Sequence, residues 1–411
     1  MKFGMKVLRV DYFDSRKVQL LDLIATFFLS IFIIVAQYRS ALDVASYGLL
    51  GAYVLSAVYI IKTKTFPFYK PLLVMAFGYI FLESYNLFLR DTYLLTIVNR
   101  SFAPLLMIAS VACFARLVSM RRFIKYYEIV VWISCVGVSY HAFEIVFGRS
   151  VSIINIFPGY DYGDFNRVLD RPLSFFTEPQ AFSSFVLPLF GCYLVRRAHY
   201  RVAFLFVFLV ISTSSFGILC GLLLIGFYVL TVSEAKVTAF FSMVVCALLG
   251  GVGLTSTDLG SQALDKIINT DFETSIRLSK GFLVFKEFDE WAMLFGTDKS
   301  TSEFIVKNLG AFEWALPYVG TDVEELLEYL SSFSYVLVNF GLLGVFLYVA
   351  FFGSVRKYAI TPYGKILLFL IIISNFVNTI LFNAWFVFYY AVFFSEYESV
   401  SVKRVALKPR F

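Results

Sequence analysis

Few residues in this sequence are of the kinds that bind metals or exchange protons near neutral pH. The chain has 411 residues, of which only 2 are histidine and 5 are cysteine, and 16% are charged. Neither histidine stands at a zinc-type spacing, so a metal site would need carboxylates alone. The cysteines lie in apolar runs, where thiols usually pack as small hydrophobic groups. We therefore predict no metal and no cofactor.

Apolar residues, in contrast, dominate the composition. Hydrophobic residues make up 59% of the chain and aromatic residues 19%. Most apolar runs have the length that a helix needs to cross roughly 30 Å of hydrocarbon. We predict an all-α, polytopic membrane protein that forms a single domain, residues 1–411, with about twelve spans. The predicted spans are residues 20–37, 44–61, 71–89, 101–118, 126–147, 176–195, 202–212, 216–232, 237–254, 333–353, 366–382 and 384–396.

Basic residues collect in alternate connections between these spans. They cluster in residues 2–17, 62–70, 116–125, 196–201, 356–365 and 403–410. Short cytoplasmic segments of membrane proteins are enriched in Lys and Arg, so both termini are predicted to be cytoplasmic. The net charge of +6 is largely this orientation signal, and we predict no nucleic-acid partner.

Two connections on the predicted outer side are longer than a turn requires. They are residues 148–172 and 255–332. In the second, aromatic residues between Phe282 and Phe295 recur every three or four positions, which predicts an amphipathic helix facing lipid or the bundle. The stretch "TDVE" at Thr321 has capping-box spacing and predicts a helix that starts there.

Pairs of basic residues mark both outer connections. Arg167 and Arg171 are four positions apart, and Arg277 and Lys280 are three apart, so each pair fits one face of a helix. If the two connections converge, they form a cationic site suited to a phosphate-bearing lipid. The alternative is that these side chains only anchor the protein at the headgroups.

Glu178 is an acid in apolar surroundings. The stretch "SFFTEPQAFSSF" places Glu178 and Pro179 about two turns into an apolar run, where a carboxylate is costly unless it has a partner or faces water. We predict a functional site there, with a structural pairing to Arg171 as the alternative. His141, which lies inside a predicted span, is expected to be a packed or hydrogen-bonded helix residue.

Taken in order, these elements resemble the Wzy-type O-antigen and capsule polymerases, relatives of the O-antigen ligases. The resemblance covers residues 167–352. Its motifs are the Arg-x-x-x-Phe-x-x-Glu-Pro element from Arg171 to Pro179, "STSSFG" from Ser212 to Gly217, Arg277, "LFG" from Leu294 to Gly296, and "NFGLLGVFLYV" from Asn339 to Val349. Two departures favour a polymerase over a ligase. No arginine follows "STSS", and serines at 331 and 332 stand where ligases carry a histidine.

The resemblance implies a metal-independent glycosyltransferase in the bacterial inner membrane. It would transfer a growing glycan from undecaprenyl diphosphate onto the next lipid-linked repeat unit at the outer face. Donor and acceptor are then both lipid-linked oligosaccharides, and the further partners are the bilayer, a chain-length regulator and a flippase. The alternatives are an O-antigen ligase and a flippase or transporter of lipid-linked oligosaccharides.

The resemblance also assigns roles to individual residues. Arg171 and Arg277 would hold the diphosphates, with Arg167 and Lys280 in support. Glu178 would either orient Arg171 or act as base for the acceptor hydroxyl. Two serines of the "STSSFG" segment, Ser214 and Ser215, would contact the substrate.

Overall fold

A computed structural model describes most of the chain, and its regular elements are helices. The described residues are 15–38, 46–89, 94–149, 171–232, 241, 279–297, 301–312, 314–315 and 330–406. For these residues the predicted all-α class is confirmed. Arg167, Arg277, the stretch at Thr321 and, apart from Phe241, the predicted span 237–254 lie outside the described residues.

The helices follow the apolar runs closely. Eight precede the long connection predicted at residues 255–332: α1 (Ser15–Ala36), α2 (Tyr47–Thr63), α3 (Lys70–Leu89), α4 (Leu94–Leu117), α5 (Met120–Val146), α6 (Pro179–Val195), α7 (His199–Ile211) and α8 (Ser215–Thr231). The described helices after them are α9 (Gly281–Lys286), α10 (Glu290–Phe295), α11 (Thr301–Lys307), α12 (Ser332–Val355), α13 (Pro362–Val377) and α14 (Ala384–Ala406). Two short 3-10 helices follow α11 and α12, at Leu309–Ala311 and Arg356–Tyr358.

Several of these helices begin at a side chain that caps them. Ser46, Ser214, Asp289, Ser331 and Thr361 each accept a hydrogen bond from a backbone N–H three positions later. Such a cap satisfies one of the N–H groups that a helix leaves free in its first turn. These polar residues therefore fix where the helix starts, and the apolar residues that follow supply the buried face.

Four helical segments in the described part of the chain are long and apolar enough to cross a bilayer. They are Gln19–Ala36, Arg100–Leu117, Met120–Val146 and Ser332–Tyr358. Five shorter apolar helices accompany them, namely α2, α6, α7, α8 and α13. Large apolar side chains also point outward from the bundle, as at Phe27, Val54 and Phe102. These features define a helical protein embedded in a membrane, and the twelve spans stay a prediction.

Helix α6 is the centre of the bundle. It packs against α5, α7, α8 and α13, and every residue from Phe182 to Leu194 is buried. Pro188 lies inside this helix and has no N–H to donate to the carbonyl of Ser184. The hydroxyl of Tyr389 on α14 donates to that carbonyl instead, at 2.8 Å. A tertiary contact thus replaces the hydrogen bond that proline removes, as membrane helices require.

Three arginine–carboxylate pairs mark one end of the bundle. At the end that we call the basic end, Arg116 pairs with Glu398 at 3.1 Å and Arg122 pairs with Asp22 at 3.1 Å. Arg201 binds Glu128 at the same end. The opposite end, which we call the loop end, gathers the starts of α6, α12 and α14 and the end of α13.

The predicted amphipathic helix between Phe282 and Phe295 is wrong in one respect, because it is divided into α9 and α10. Asp289 caps α10 by accepting from the N–H of Ala292 at 2.7 Å, and this cap starts a new helix. The aromatic residues divide between two environments: Phe288 is buried in a small cluster with Val284 and Phe312, whereas Phe282 and Trp291 are exposed.

Candidate functional site

A cavity of about 640 Å³ lies at the loop end of the bundle. Its walls come from α3, α4, the start of α6, the start of α12 and the connection between α13 and α14. The charged and amide side chains that line it are Arg100, Glu178, Gln180, Asn378 and Asn383. Aromatic side chains, Tyr79, Tyr335, Phe382 and Trp385, form much of the remaining wall. This mixture suits a polar ligand with some apolar surface.

Glu178, where a functional site was predicted, lines this cavity. It is the residue before α6, with an extended backbone, and its side chain makes no capping hydrogen bond to the helix. Pro179 occupies the first helical position, where its missing N–H costs nothing. The predicted span 176–195 therefore starts later than expected, because proline at 179 sets the helix boundary. Since residues 171–178 are not helical, Arg171 and Glu178 do not share a helical face.

The non-helical segment before Glu178 is held by two side chains, one that follows α1 and one in α5. The side-chain amide of Gln37, the residue after α1, donates to the carbonyl of Phe175 at 3.2 Å and accepts from the N–H of Thr177 at 2.7 Å. Nδ1 of His141 in α5 accepts from the N–H groups of Leu173 and Ser174, at 3.2 and 3.1 Å. The predicted role of His141 as a hydrogen-bonded helix residue is confirmed.

Gly137 in α5 allows the same segment to lie close to the helix. A Cβ added at Gly137 would lie 2.4 Å from the hydroxyl oxygen of Ser174. Ser174 itself has a left-handed backbone, with φ at 59°. Backbone hydrogen bonds and close packing thus fix the path of the chain into Glu178, so the carboxylate is carried by a rigid support.

Ser332 holds in place the wall of the cavity that is formed by the connection between α13 and α14. Its hydroxyl donates to the carbonyl of Asn378 at 3.1 Å and accepts from the N–H groups of Ile380 and Leu381, at 2.8 and 2.9 Å. The connection 378–383 is therefore non-helical, and the predicted span 366–382 ends early, at Val377. Asn378 also accepts a hydrogen bond from Gln180 of α6, which joins the two walls.

Arg100 is a base that lines the cavity, and it was not among the predicted site residues. Its carbonyl accepts from the hydroxyl of Tyr79 on α3 at 3.5 Å. Tyr79 also lies close to Glu83, a fully buried acid one turn further along α3. One signal pointed to Arg100: it stands in a short connection that the charge rule places outside, where basic residues are uncommon.

Two of the predicted basic residues are described but do not line the cavity. Arg171 is partly buried at the start of the supporting segment. Lys280 precedes α9 and is buried, with its ammonium nitrogen 5.2 Å from the ring centroid of Trp314. This cation–π contact gives Lys280 a packing role. The predicted convergence of Arg167 and Arg277 with these residues stays a prediction.

The serines of the "STSSFG" segment contribute to packing. Ser214 is buried, and its hydroxyl accepts from the N–H of Gly217 at 3.1 Å, which caps α8. Ser215 is the first residue of α8, and neither serine lines the cavity. A Cβ added at Gly217 would lie 2.3 Å from the hydroxyl oxygen of Ser183, so this segment brings α8 close to α6.

The donors and acceptors of the cavity define what it can do chemically. A carboxylate such as Glu178 accepts hydrogen bonds from hydroxyl groups, and amides such as Gln180 and Asn378 donate and accept. The guanidinium of Arg100 suits an anion with two oxygens, such as a phosphate. In the described ranges, no three His, Cys, Asp or Glu side chains are grouped as metal ligands. The predicted absence of a metal remains a prediction for the whole chain.

Comparison with known proteins adds no family assignment. No protein-family model matches the chain, and no curated protein shows significant sequence similarity to it.

Proposed function

We propose that this protein is a polysaccharide polymerase of the Wzy type. It would be a glycosyltransferase that transfers a growing glycan from undecaprenyl diphosphate onto the next lipid-linked repeat unit. The observation that carries the proposal is the position of Glu178. The Glu-Pro element that resembles this family stands at the mouth of α6 and lines a large polar cavity, together with Arg100.

The position of the arginines supports an outward-facing reaction. Clusters of Lys and Arg mark the cytoplasmic side of membrane proteins. Arg116, Arg122 and Arg201 lie at the basic end, and the cavity lies at the other. The cavity then faces the outer side of the bacterial inner membrane, where lipid-linked repeat units are joined.

The proposed reaction needs one base and a stabilised leaving group. The acceptor hydroxyl oxygen bonds to the anomeric carbon of the donor sugar, and the bond from that carbon to the diphosphate oxygen breaks. Glu178 takes the hydroxyl proton, and undecaprenyl diphosphate leaves as an anion. Arginine offsets the charge that develops on the diphosphate. Each charge-assisted contact of this kind contributes about 1.5–3 kcal/mol.

Deletion of the gene, followed by electrophoresis of surface polysaccharide, tests the proposal. We expect surface glycan with a single repeat unit. Full-length polymer that remains linked to its lipid carrier, and is never attached to the cell surface, would instead indicate a ligase. Undecaprenyl-linked units retained in the cytoplasmic leaflet would indicate a flippase.

Complementation of the deletion strain then tests Glu178. We expect Glu178→Gln to reduce polymer formation by about a hundredfold or more, since this is the usual contribution of a general base. Glu303→Gln is the matched control, because Glu303 is an exposed acid of the same loop end and should be dispensable. Normal polymer from Glu178→Gln, at normal protein level, would contradict the proposal.

A further inference from the structure

A second proline interrupts the hydrogen bonding of a helix beside the cavity. Pro104 lies inside α4 and lines the cavity, together with Arg100, the residue four positions earlier. Because proline has no N–H, the backbone carbonyl of Arg100 lacks its usual helical donor. An unsatisfied backbone group is costly inside a membrane, so this carbonyl needs a donor from another part of the protein.

The hydroxyl of Tyr79, on the neighbouring helix α3, is that donor. It donates to the carbonyl of Arg100 at 3.5 Å. Helix α6 has the same arrangement at the same cavity, where Pro188 leaves the carbonyl of Ser184 without its helical donor and Tyr389 donates to it at 2.8 Å. The two contacts differ in what they support, because only the carbonyl in α4 belongs to a residue with a charged side chain.

The ring of Tyr79 is fixed by its packing. It is buried, and its centroid lies 4.8 Å from that of Phe382 and 5.9 Å from that of Phe340, both in edge contacts. Phe382 has a left-handed backbone, with φ at 54°, which bulky residues rarely adopt. Such a conformation persists only where the surroundings determine it. Tyr79 is therefore held by a rigid wall.

An acid also lies beside the Tyr79 hydroxyl. Glu83 is fully buried one turn further along α3, and the hydroxyl is close to the charged groups of both Glu83 and Arg100. A carboxylate inside a membrane protein requires a partner or water. Since the hydroxyl has one proton, Glu83 is the alternative acceptor that an experiment must exclude.

We infer that Tyr79 is a positioning residue for Arg100. Its hydroxyl fixes the backbone of α4 where Pro104 has removed the helical hydrogen bond, and it thereby fixes how the guanidinium enters the cavity. An anion in the cavity then meets a guanidinium that is supported from α3. The identity of that anion as a leaving diphosphate rests on the proposed function, whereas the support of Arg100 by Tyr79 does not.

Binding of inorganic pyrophosphate to the purified full-length protein, measured by isothermal titration calorimetry, tests this inference. We expect Arg100→Gln to raise Kd about tenfold, the loss expected for one charge-assisted contact. Tyr79→Phe keeps the ring and removes only the hydroxyl oxygen, and we expect it to raise Kd about fivefold, as the loss of one neutral hydrogen bond can. A wild-type protein that does not bind pyrophosphate would remove the anion site at Arg100, and the inference with it.

Double variants show which residue Tyr79 acts through. We expect Tyr79→Phe to change the Kd of Arg100→Gln by less than about twofold, because no guanidinium is left to position. Losses that multiply in the double variant would overturn the inference. It would also be overturned if the effect of Tyr79→Phe disappears in a Glu83→Gln background and persists beside Arg100→Gln, since the hydroxyl would then serve Glu83.

Tyr389→Phe is the matched control, because it removes the hydroxyl from the second proline site. We expect it to lower the melting temperature more than Tyr79→Phe does and to leave the Kd for pyrophosphate unchanged. A Tyr79→Phe protein with a lower melting temperature and an unchanged Kd would show that the hydroxyl only stabilises the fold. Pyrophosphate binding that requires Arg100 and Tyr79, in a protein that makes no polymer, would refute the proposed function alone. An active polymerase in which Tyr79→Phe binds pyrophosphate like wild type would refute the inference alone.

Discussion

Gly296 and Gly341 pack against each other where the residues that follow α10 cross a break in α12. Gly341 has a φ of 62° and a ψ of −159°, which interrupts the helix. A Cβ added at Gly341 would lie 2.6 Å from the backbone nitrogen of Gly296. The break frees the carbonyl of Val338, and the backbone N–H of Thr297 donates to it at 3.0 Å. Two motifs that are more than forty positions apart in the sequence, "LFG" and "NFGLLG", thus form one joint.

This joint predicts a strong effect of a small substitution. We expect Gly341→Ala to destabilise the protein by at least about 2 kcal/mol, because its backbone conformation is essentially restricted to glycine and the space is filled. Gly353→Ala is the control in the same helix, since a Cβ there meets nothing within 4 Å. It should be neutral or slightly stabilising. Thermal unfolding in detergent, followed by tryptophan fluorescence, measures both variants, and equal melting temperatures would disprove the role of the joint.

A second prediction concerns the support of Glu178. Gln37→Leu removes the acceptor of the Thr177 N–H and the donor to the Phe175 carbonyl. We expect kcat for polymer formation to fall about tenfold, with KM changed less than twofold, because a small displacement of a catalytic group mainly affects the chemical step. Gln19→Leu, at an exposed position of α1, the helix that Gln37 follows, should leave kcat unchanged. If Gln37→Leu changes only the melting temperature, the amide stabilises the fold without positioning Glu178.

The helices and Glu178 could be predicted from the sequence because local signals specify them. Long apolar runs define helices, and a carboxylate beside proline in such a run is unusual enough to mark a site. Helix ends were less predictable. The connection 378–383 is apolar enough to read as helix, and it is non-helical because Ser332, almost fifty positions earlier, binds its backbone.

Arg100 and the two serines of the "STSSFG" segment show what short sequence motifs do not predict. Arg100 reaches the cavity only through the packing of α4 beside α3, which no local pattern encodes. Ser214 and Ser215 belong to a recognisable segment, yet the hydroxyl of Ser214 satisfies a helix end. Serine at such a position serves as a cap in many helices, so its presence alone does not indicate a ligand.

A third prediction concerns the arginines of the outer connections. We expect Arg171→Ala and Arg277→Ala each to abolish long-chain product while the protein remains in the membrane at normal level. Lysine at either position should restore little activity, because an ammonium group cannot make the two-pronged contact of a guanidinium. The chain length of surface glycan on a gel is the measurement. An alanine variant that still makes full-length polymer would show that its arginine is only an anchor.

A fourth prediction concerns the orientation of the bundle. A cysteine placed at exposed Glu303, at the loop end, should react with a membrane-impermeant maleimide in cells with a permeabilised outer membrane. A cysteine at exposed Lys357, at the basic end, should react only after the inner membrane is lysed. The native cysteines of the described residues are buried and give little background. The reverse pattern would place the cavity in the cytoplasm and contradict the proposed function.

The last prediction is that polymer formation does not require a divalent metal. Among the described residues, the cavity wall holds one acid, Glu178, and one base, Arg100. A single carboxylate is a weak site for Mg²⁺, which favours several oxygen ligands. Positive charge from arginine can stabilise a leaving diphosphate in place of a metal. Purified protein that receives lipid-linked repeat units in excess EDTA should therefore form polymer at the rate seen with Mg²⁺. A rate that falls in EDTA and returns when Mg²⁺ is added would mean that a metal neutralises the diphosphate, and the arginines would then only position it.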